Sequence, residues 1–167
     1  MNVRQTAALK WTSYALAALL LCFLRRLLLG SALFWGVLPF LPPVLLATEA
    51  SLEQPKPAVL SGIVFGALCD LVLPTSFPCL YTLAFTLAAL FTATVMSSLL
   101  QKGLARAFFS SVLTFAIVDL FKILFLLPRG AAVPAMLFLF LRETLISCVL
   151  LLPSYPLLRA VHRFFVA

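Results

Sequence analysis

Long runs of apolar residues without a single charge constrain this chain more than any other feature. Two of them, Leu27–Thr48 and Cys79–Leu100, are each 22 residues long. A helix of about 20 residues, rising about 1.5 Å per residue, crosses the hydrocarbon core of a bilayer. Hydrophobic residues make up 64% of the chain and charged residues 10%, against about 45–50% and 25% in a typical soluble domain. A water-soluble fold of 167 residues could not bury that apolar surface, so we expect an integral membrane protein.

Six apolar segments follow one another along the chain, separated by charges and turn residues. They predict an all-α fold, a polytopic helical bundle of about six transmembrane helices in one domain that covers residues 1–167. The segments are Trp11–Leu24, Leu27–Thr48, Ala58–Leu73, Cys79–Leu100, Ala107–Leu127 and Ala131–Leu152. Prolines indicate turns at Pro74–Pro78 and Pro128–Gly130. A short basic amphipathic tail, Leu157–Phe165, is expected after Pro153 and Pro156.

The first two segments are irregular. Trp11–Leu24 has only 14 residues, so its flanking bases must snorkel to the membrane surface or the helix must continue past the Arg25-Arg26 pair. The second segment contains three prolines and cannot form one straight helix. We expect a loop near Trp35–Pro39 and a short helix that enters at Pro42. If these two segments form one broken span, the number of transmembrane helices falls to five.

The basic residues of the short loops predict the orientation, because cytoplasmic loops carry an excess of Lys and Arg. With the N-terminus inside, the inner side holds seven basic residues and the outer side three. The inner set is Arg4, Lys10, Lys56, Lys102, Arg106, Arg159 and Arg163, and the outer set is Arg25, Arg26 and Arg129. Both termini are therefore expected in the cytoplasm, whereas a single broken first span would move the N-terminus outside.

Gly62, Gly66 and Asp70 stand four residues apart in an otherwise apolar segment. On a helix these positions share one face, and the two glycines let a neighbouring helix come close. Placing a carboxylate beside that contact inside a membrane is energetically unfavourable, so Asp70 is expected to have a specific structural or functional role. We expect this face to form either a contact within the bundle or a docking site for a partner helix.

Four further charges lie within the predicted spans and form a second candidate set: Asp119, Lys122, Arg142 and Glu143. Asp119 and Lys122 are three residues apart and can pair on one helix face. Arg142 and Glu143 are adjacent, so each needs a partner on another helix or a water-filled cavity. These charges either form pairs between helices that hold the bundle together, or form a site for a ligand, ion or partner protein.

Catalytic chemistry is not expected. The sequence contains no metalloprotease, phosphate-binding or dinucleotide motif, and His162, the single histidine, is far in sequence from the acids. The four cysteines form no CxxC pair, so we expect reduced thiols, with no catalytic residue, no metal and no cofactor. The net charge of +7 suits anionic lipid headgroups. It does not indicate nucleic-acid binding, because the basic residues are scattered between the spans.

Two stretches of the chain carry a resemblance to a known family. Residues 38–47, LPFLPPVLLA, form a proline-marked entry to the second segment, and residues 62–74, GIVFGALCDLVLP, are similar to a G-x-x-x-G-L-x-x-D-x-x-x-G pattern. Together with the chain length and the six crowded segments, they resemble the rod shape-determining protein MreD family. The resemblance covers residues 35–100. Ala67 replaces the usual leucine of the pattern, and Pro74 and Pro78 stand where the family often has glycines.

The resemblance implies a non-enzymatic scaffold subunit of the bacterial cell-elongation and cell-shape machinery, a multi-pass protein of the plasma membrane. MreD-like proteins couple peptidoglycan synthesis to cytoskeletal and periplasmic partners. The partners implied are an MreC-like protein, the MreB system, and the pair of RodA and a class B penicillin-binding protein, besides the lipid bilayer.

A second interpretation is the substrate-binding S component of an energy-coupling-factor vitamin transporter, whose fold is similar to that of MreD. S components commonly dock their partner through an Ala-x-x-x-Ala face in the first span. Here Ala15, Ala17 and Ala18 are followed four places later by larger residues, namely Leu19, Leu21 and Cys22. The docking face is therefore missing, which disfavours this alternative.

Overall fold

The computed structural model describes residues 3–29, 36–73, 78–101, 103–130 and 133–166, and every regular element in these ranges is helical. The helices are α1 (Val3–Leu29), α2 (Leu41–Leu52), α3 (Pro55–Val72), α4 (Leu80–Phe91), α5 (Ser97–Leu99), α6 (Leu104–Leu126), α7 (Val133–Val149) and α8 (Leu151–Val166). A π-helical turn, Thr92–Met96, joins α4 to α5, and a 3₁₀ turn, Leu127–Arg129, follows α6.

Two of these helices, α3 and α6, are long and apolar enough to cross a membrane. The α7–α8 pair makes a third if it is taken as one span, bent by 50° at its break. The apolar parts of α1, α2 and α4 are shorter, at Leu9–Leu24, Leu41–Leu52 and Leu80–Val95. The described residues therefore form an all-helical chain with two or three helices of spanning length, where the hydropathy pattern predicts about six.

Glycine, proline and a change of helix type account for the shorter helices. α1 continues past the arginine pair to Leu29, and the described part of the expected loop, residues 36–39, is not helical. α2 then begins at Leu41, with Pro42 and Pro43 in its first turn, where proline has no hydrogen bond to lose. The fourth segment is divided by the π-helical turn at Thr92–Met96. The expected turn at Pro74–Pro78 lies almost wholly outside the described residues, since only Pro78 is described.

α2 is the central element of the bundle. Of its 12 residues, all but Pro42 are buried, and it contacts α3, α4, α6 and α8. Its first half, residues 41–47, is apolar on all sides, and a helix of that kind must be covered on all sides. The amide N–H of Phe40, just before α2, donates to the Ser147 hydroxyl on α7 at 2.9 Å, so the start of the central helix is also tied to the bundle.

Two clusters of buried side chains lie on either side of α2. Tyr14 of α1, Leu45 of α2 and Leu158 of α8 belong to the first cluster. Leu46 of α2 and Phe85 of α4 belong to the second. On the outer surface, large apolar side chains are widely exposed along α1, α3, α6 and α7. Such an exposed apolar surface is what a lipid-facing bundle presents.

The C-terminal tail differs from the sequence prediction. It does not begin after the prolines: α8 starts at Leu151, with Pro156 inside it. Ser154, Tyr155 and Leu158 are buried against the bundle, and α8 packs on α1 and α2. The predicted amphipathic tail is thus the second half of α8, whose buried face packs on the first two helices and whose arginines are exposed.

Candidate functional site

The two glycines of the Gly62–Asp70 face lie where α3 packs against α4. A Cβ atom on Gly62 would lie 2.8 Å from the carbonyl oxygen of Phe85. A Cβ atom on Gly66 would collide with the backbone of Thr82 and lie 2.7 Å from the carbonyl oxygen of Tyr81. The glycine face is therefore occupied by α4 of the same chain, at a backbone distance that no other residue type permits.

Asp70 caps the start of α4 from the neighbouring helix. Its carboxylate accepts the amide N–H of Tyr81 at 3.0 Å, and the amide N–H and hydroxyl of Thr82 at 2.9 and 2.7 Å. Tyr81 and Thr82 are the second and third residues of α4, and their amides have no partner within the helix. The residue at the capping position, Cys79, provides no side-chain hydrogen bond.

This arrangement explains why a carboxylate is tolerated in the apolar segment. Three donors converge on the Asp70 carboxylate, and the positive end of the α4 dipole faces its charge. Of the two roles expected for the face, the structure places it within the bundle, where it fixes α3 against α4.

The second predicted set is partly brought together around Lys122. Its ammonium nitrogen lies 3.5 Å from a carboxylate oxygen of Asp119, one turn earlier on α6, and 3.5 Å from one of Glu143 on α7. The rings of Phe40 and Phe140 lie beside the same ammonium, with centroids 5.5 and 5.3 Å away. Lys122 thus contacts α7 through Glu143 and Phe140, whereas Asp119 lies on its own helix and Phe40 lies just before α2.

The Arg142 side chain packs against an aromatic ring of its own helix. Its guanidinium carbon lies 4.1 Å from the centroid of the Phe138 ring, one turn earlier on α7. The neighbouring residue, Glu143, faces Lys122 instead. The adjacent charges therefore diverge, as expected from their 100° separation on a helix.

The structure reveals a charged cluster that the sequence did not predict. We call it the Glu53 cluster: Lys10, Tyr14, Glu53 and His162. The Lys10 ammonium lies 2.6 and 2.8 Å from the two carboxylate oxygens of Glu53, and the Tyr14 hydroxyl donates to that carboxylate at 2.9 Å. The Nδ1 atom of His162 lies 3.0 Å from the same carboxylate. The cluster ties the start of α1, the α2–α3 connection and the end of α8 together.

The charge of Glu53 is stabilised by these donors. Burial alone would raise the pKa of the Glu53 carboxyl, but hydrogen bonds from Lys10, His162 and Tyr14 outweigh burial and lower the pKa below its ordinary value. Glu53 is therefore ionised at neutral pH. One sequence signal pointed to this cluster, since Lys10, Lys56 near Glu53, and Arg163 next to His162 were all expected on the inner side of the membrane.

The described residues contain no group of three His, Cys, Asp or Glu side chains placed to hold a metal ion. Cys22, Cys69, Cys79 and Cys148 carry reduced thiols. Cys69 alone is buried and Cys148 is half-buried, whereas the other two are exposed. The chemistry assembled by the described residues is hydrogen bonding and charge pairing between helices.

No family model, curated protein or solved structure matches this chain.

Proposed function

We propose that this chain is a non-enzymatic membrane scaffold of the bacterial cell-elongation machinery, of the MreD kind. In this role it joins peptidoglycan synthesis by RodA and a class B penicillin-binding protein to an MreC-like protein and to the MreB system. The proposal starts from the residues of the MreD-like pattern in 38–47 and 62–74.

The observation that carries the proposal is that those residues make contacts between the helices of the bundle. The glycines and Asp70 join α3 to α4, and the proline-marked stretch forms the buried central helix α2. Lys122 of α6 pairs with Glu143 of α7, so charged side chains inside the helices also make a contact between helices. Polar groups used in this way serve to fix the shape of a bundle, which is what a scaffold needs.

The proposal includes six passes through the plasma membrane, of which α3 and α6 are long and apolar enough to span it as single helices. Lys10, Glu53 and His162 meet at one end of the bundle. Phe40 lies beside Tyr81 and Lys122, with ring centroids 5.6 Å apart in the first contact. α2 extends about 18 Å between these two groups of contacts. With the excess of basic residues on the Lys10 side, this arrangement favours both termini in the cytoplasm.

The test is depletion of the protein in the bacterium that encodes it, followed by measurement of cell shape. We expect rod-shaped cells to round up, and the native chain supplied in trans to restore them. A tagged native chain, solubilised in mild detergent, should retain the MreC-like protein. Unchanged shape together with a tightly retained vitamin would overturn the proposal in favour of a transporter S component.

A further inference from the structure

One face of α8 is apolar at its beginning and basic at its end. Leu152, Pro156, Arg159 and Arg163 are spaced by four, three and four residues, so they lie on one stripe of the helix. All four are exposed, whereas Leu158 on the other side of α8 is buried in the bundle. The stripe therefore faces the surroundings of the bundle, and its charges lie at one end only.

A shallow pocket of about 300 Å³ opens at the basic end of this stripe. Its lining is Tyr155, Pro156, Arg159, Ala160 and Arg163. The guanidinium carbon of Arg159 lies 5.7 Å from the centroid of the Tyr155 ring, and this contact orients the guanidinium. Among the residues that the structure describes, neither arginine forms an ion pair with a carboxylate.

The pocket lies at the end of the bundle where basic and aromatic residues gather. His162, next to Arg163 in the chain, reaches the Lys10–Glu53 pair. Trp11 lies beside Tyr14 of the same cluster, with ring centroids 6.0 Å apart. Aromatic and basic side chains concentrate where a membrane protein meets the lipid headgroups. The arginines thus lie at the end of the bundle where we expect the lipid headgroups.

We propose that this pocket binds the headgroup of an anionic phospholipid, with Arg159 and Arg163 holding the phosphate and an acyl chain lying along Leu152 and Pro156. Two guanidinium groups one turn apart can each donate paired hydrogen bonds to phosphate oxygens. The stripe extends about 16 Å from Leu152 to Arg163. Along this length the side chains of the stripe change from apolar to basic. A phospholipid changes in the same way from its acyl chains to its phosphate.

The apolar half of the stripe favours a lipid over other anions. A free phosphate or an acidic peptide would satisfy the two arginines, but neither would use the exposed side chain of Leu152, which is 63% accessible. An anionic phospholipid uses both halves, and its attraction to basic side chains at the membrane surface adds to the burial of its chain.

The experiment is native mass spectrometry of the full-length protein released from neutral detergent, with phosphatidylglycerol and phosphatidylcholine titrated separately. The test variant is Arg159→Gln with Arg163→Gln. The matched control, Arg26→Gln with Lys56→Gln, also removes two positive charges at exposed positions. We expect the test variant to bind phosphatidylglycerol about 30-fold more weakly, since each basic side chain at a membrane surface contributes about fivefold. The control should stay within about twofold of the native protein, because neither residue lines the pocket and distant exposed charges are screened by salt.

Three further measurements decide the interpretation. Thermal unfolding must be unchanged in the test variant, which is expected because both arginines are exposed. Arg159→Lys with Arg163→Lys should bind with intermediate affinity, since charge remains but paired hydrogen bonding is lost. Inorganic phosphate should compete only weakly against phosphatidylglycerol.

Equal binding of phosphatidylglycerol by the test variant and the native protein would overturn the proposal. So would an equal loss in the matched control, because the effect would then be one of net charge. Full displacement by inorganic phosphate would show a free-anion site. If the test variant loses a co-purifying protein while its lipid binding is unchanged, the arginines serve a protein contact instead.

Discussion

At the scale of single residues, Asp70 shows how a carboxylate is accommodated in an apolar helix. Helix α4 has amides at its second and third positions without intrahelical partners, and a carboxylate on α3 accepts both. The carboxylate accepts hydrogen bonds from amides that have no partner within α4, and these amides stabilise its negative charge. The carboxylate and the start of α4 therefore stabilise one another. The sequence predicted that Asp70 has a task, but it could not identify α4 as the partner, because that contact depends on how two helices are placed in space.

The first prediction concerns this cap. Asp70→Asn should lower the free energy of unfolding by about 1–3 kcal/mol, because the amide NH₂ cannot accept the second backbone N–H and leaves it without a partner. Thr82→Val is the matched variant, since it removes only the hydroxyl bond and should cost less, about 1 kcal/mol. Thermal unfolding in detergent, followed by circular dichroism, measures both. Equal stability of Asp70→Asn and the native protein would contradict the capping role.

At the scale of elements, the contact between α3 and α4 depends on the backbones approaching one another. The glycine spacing predicted such an approach, and the structure places it between two consecutive helices. The sequence did not predict the lengths of the helices, since in the described part of the chain only α3, α6 and the bent α7–α8 pair reach spanning length. Proline and glycine positions predicted the break before α2, but the π-helical turn at Thr92–Met96 divides a segment with no proline or glycine in it. Hydropathy therefore predicted the helical stretch from Leu80 to Leu99 but not the change of helix type within it.

The second prediction tests this close approach. Gly66→Ala should destabilise the protein by about 1–3 kcal/mol or more, since the added methyl group meets backbone atoms of α4 that cannot move aside easily. Gly103→Ala is the matched control, because a Cβ atom there would meet only one oxygen, at 3.9 Å. Unfolding midpoints in the same detergent give the comparison. A Gly66→Ala protein as stable as Gly103→Ala would show that the helices are further apart.

At the scale of the whole molecule, the Glu53 cluster joins parts of the chain that are far apart in sequence. Lys10 and Glu53 are 43 residues apart, and Glu53 and His162 are 109 apart. Hydropathy and the counting of basic residues could place these groups on one side of the membrane. They could not show that one carboxylate gathers all three donors, because side-chain contacts across the bundle follow from the packing of α1, α2 and α8.

The third prediction is a pH dependence of stability. The pKa of Glu53 is lowered by folding, so its contribution to stability is present above the ordinary carboxyl pKa and is lost as the pH falls through the lowered value. Glu53→Gln should therefore be less stable than the native protein at about pH 6, and the difference should shrink towards about pH 3. Lys10, Tyr14, His162 and Glu49 are the titratable groups around Glu53.

Unfolding midpoints of both proteins across this pH range provide the measurement. The difference between the two curves reports on the Glu53 carboxylate together with its electrostatic coupling to these neighbouring groups. A difference that stays constant or grows on acidification would show that the carboxylate is not stabilised by its donors.

The last prediction concerns how the termini lie relative to the membrane. The Glu53 cluster brings together a residue near the start of α1 and one near the end of α8. Two charged groups in direct contact cannot lie on opposite sides of a bilayer with a core of about 30 Å. Fusing a reporter that fluoresces only in the cytoplasm to either terminus should therefore give the same result at both ends, and the excess of basic residues predicts fluorescence at both. Termini on opposite sides, as in a chain with five spans, would be incompatible with the ion pair between Lys10 and Glu53 and the contact of His162 with the same carboxylate.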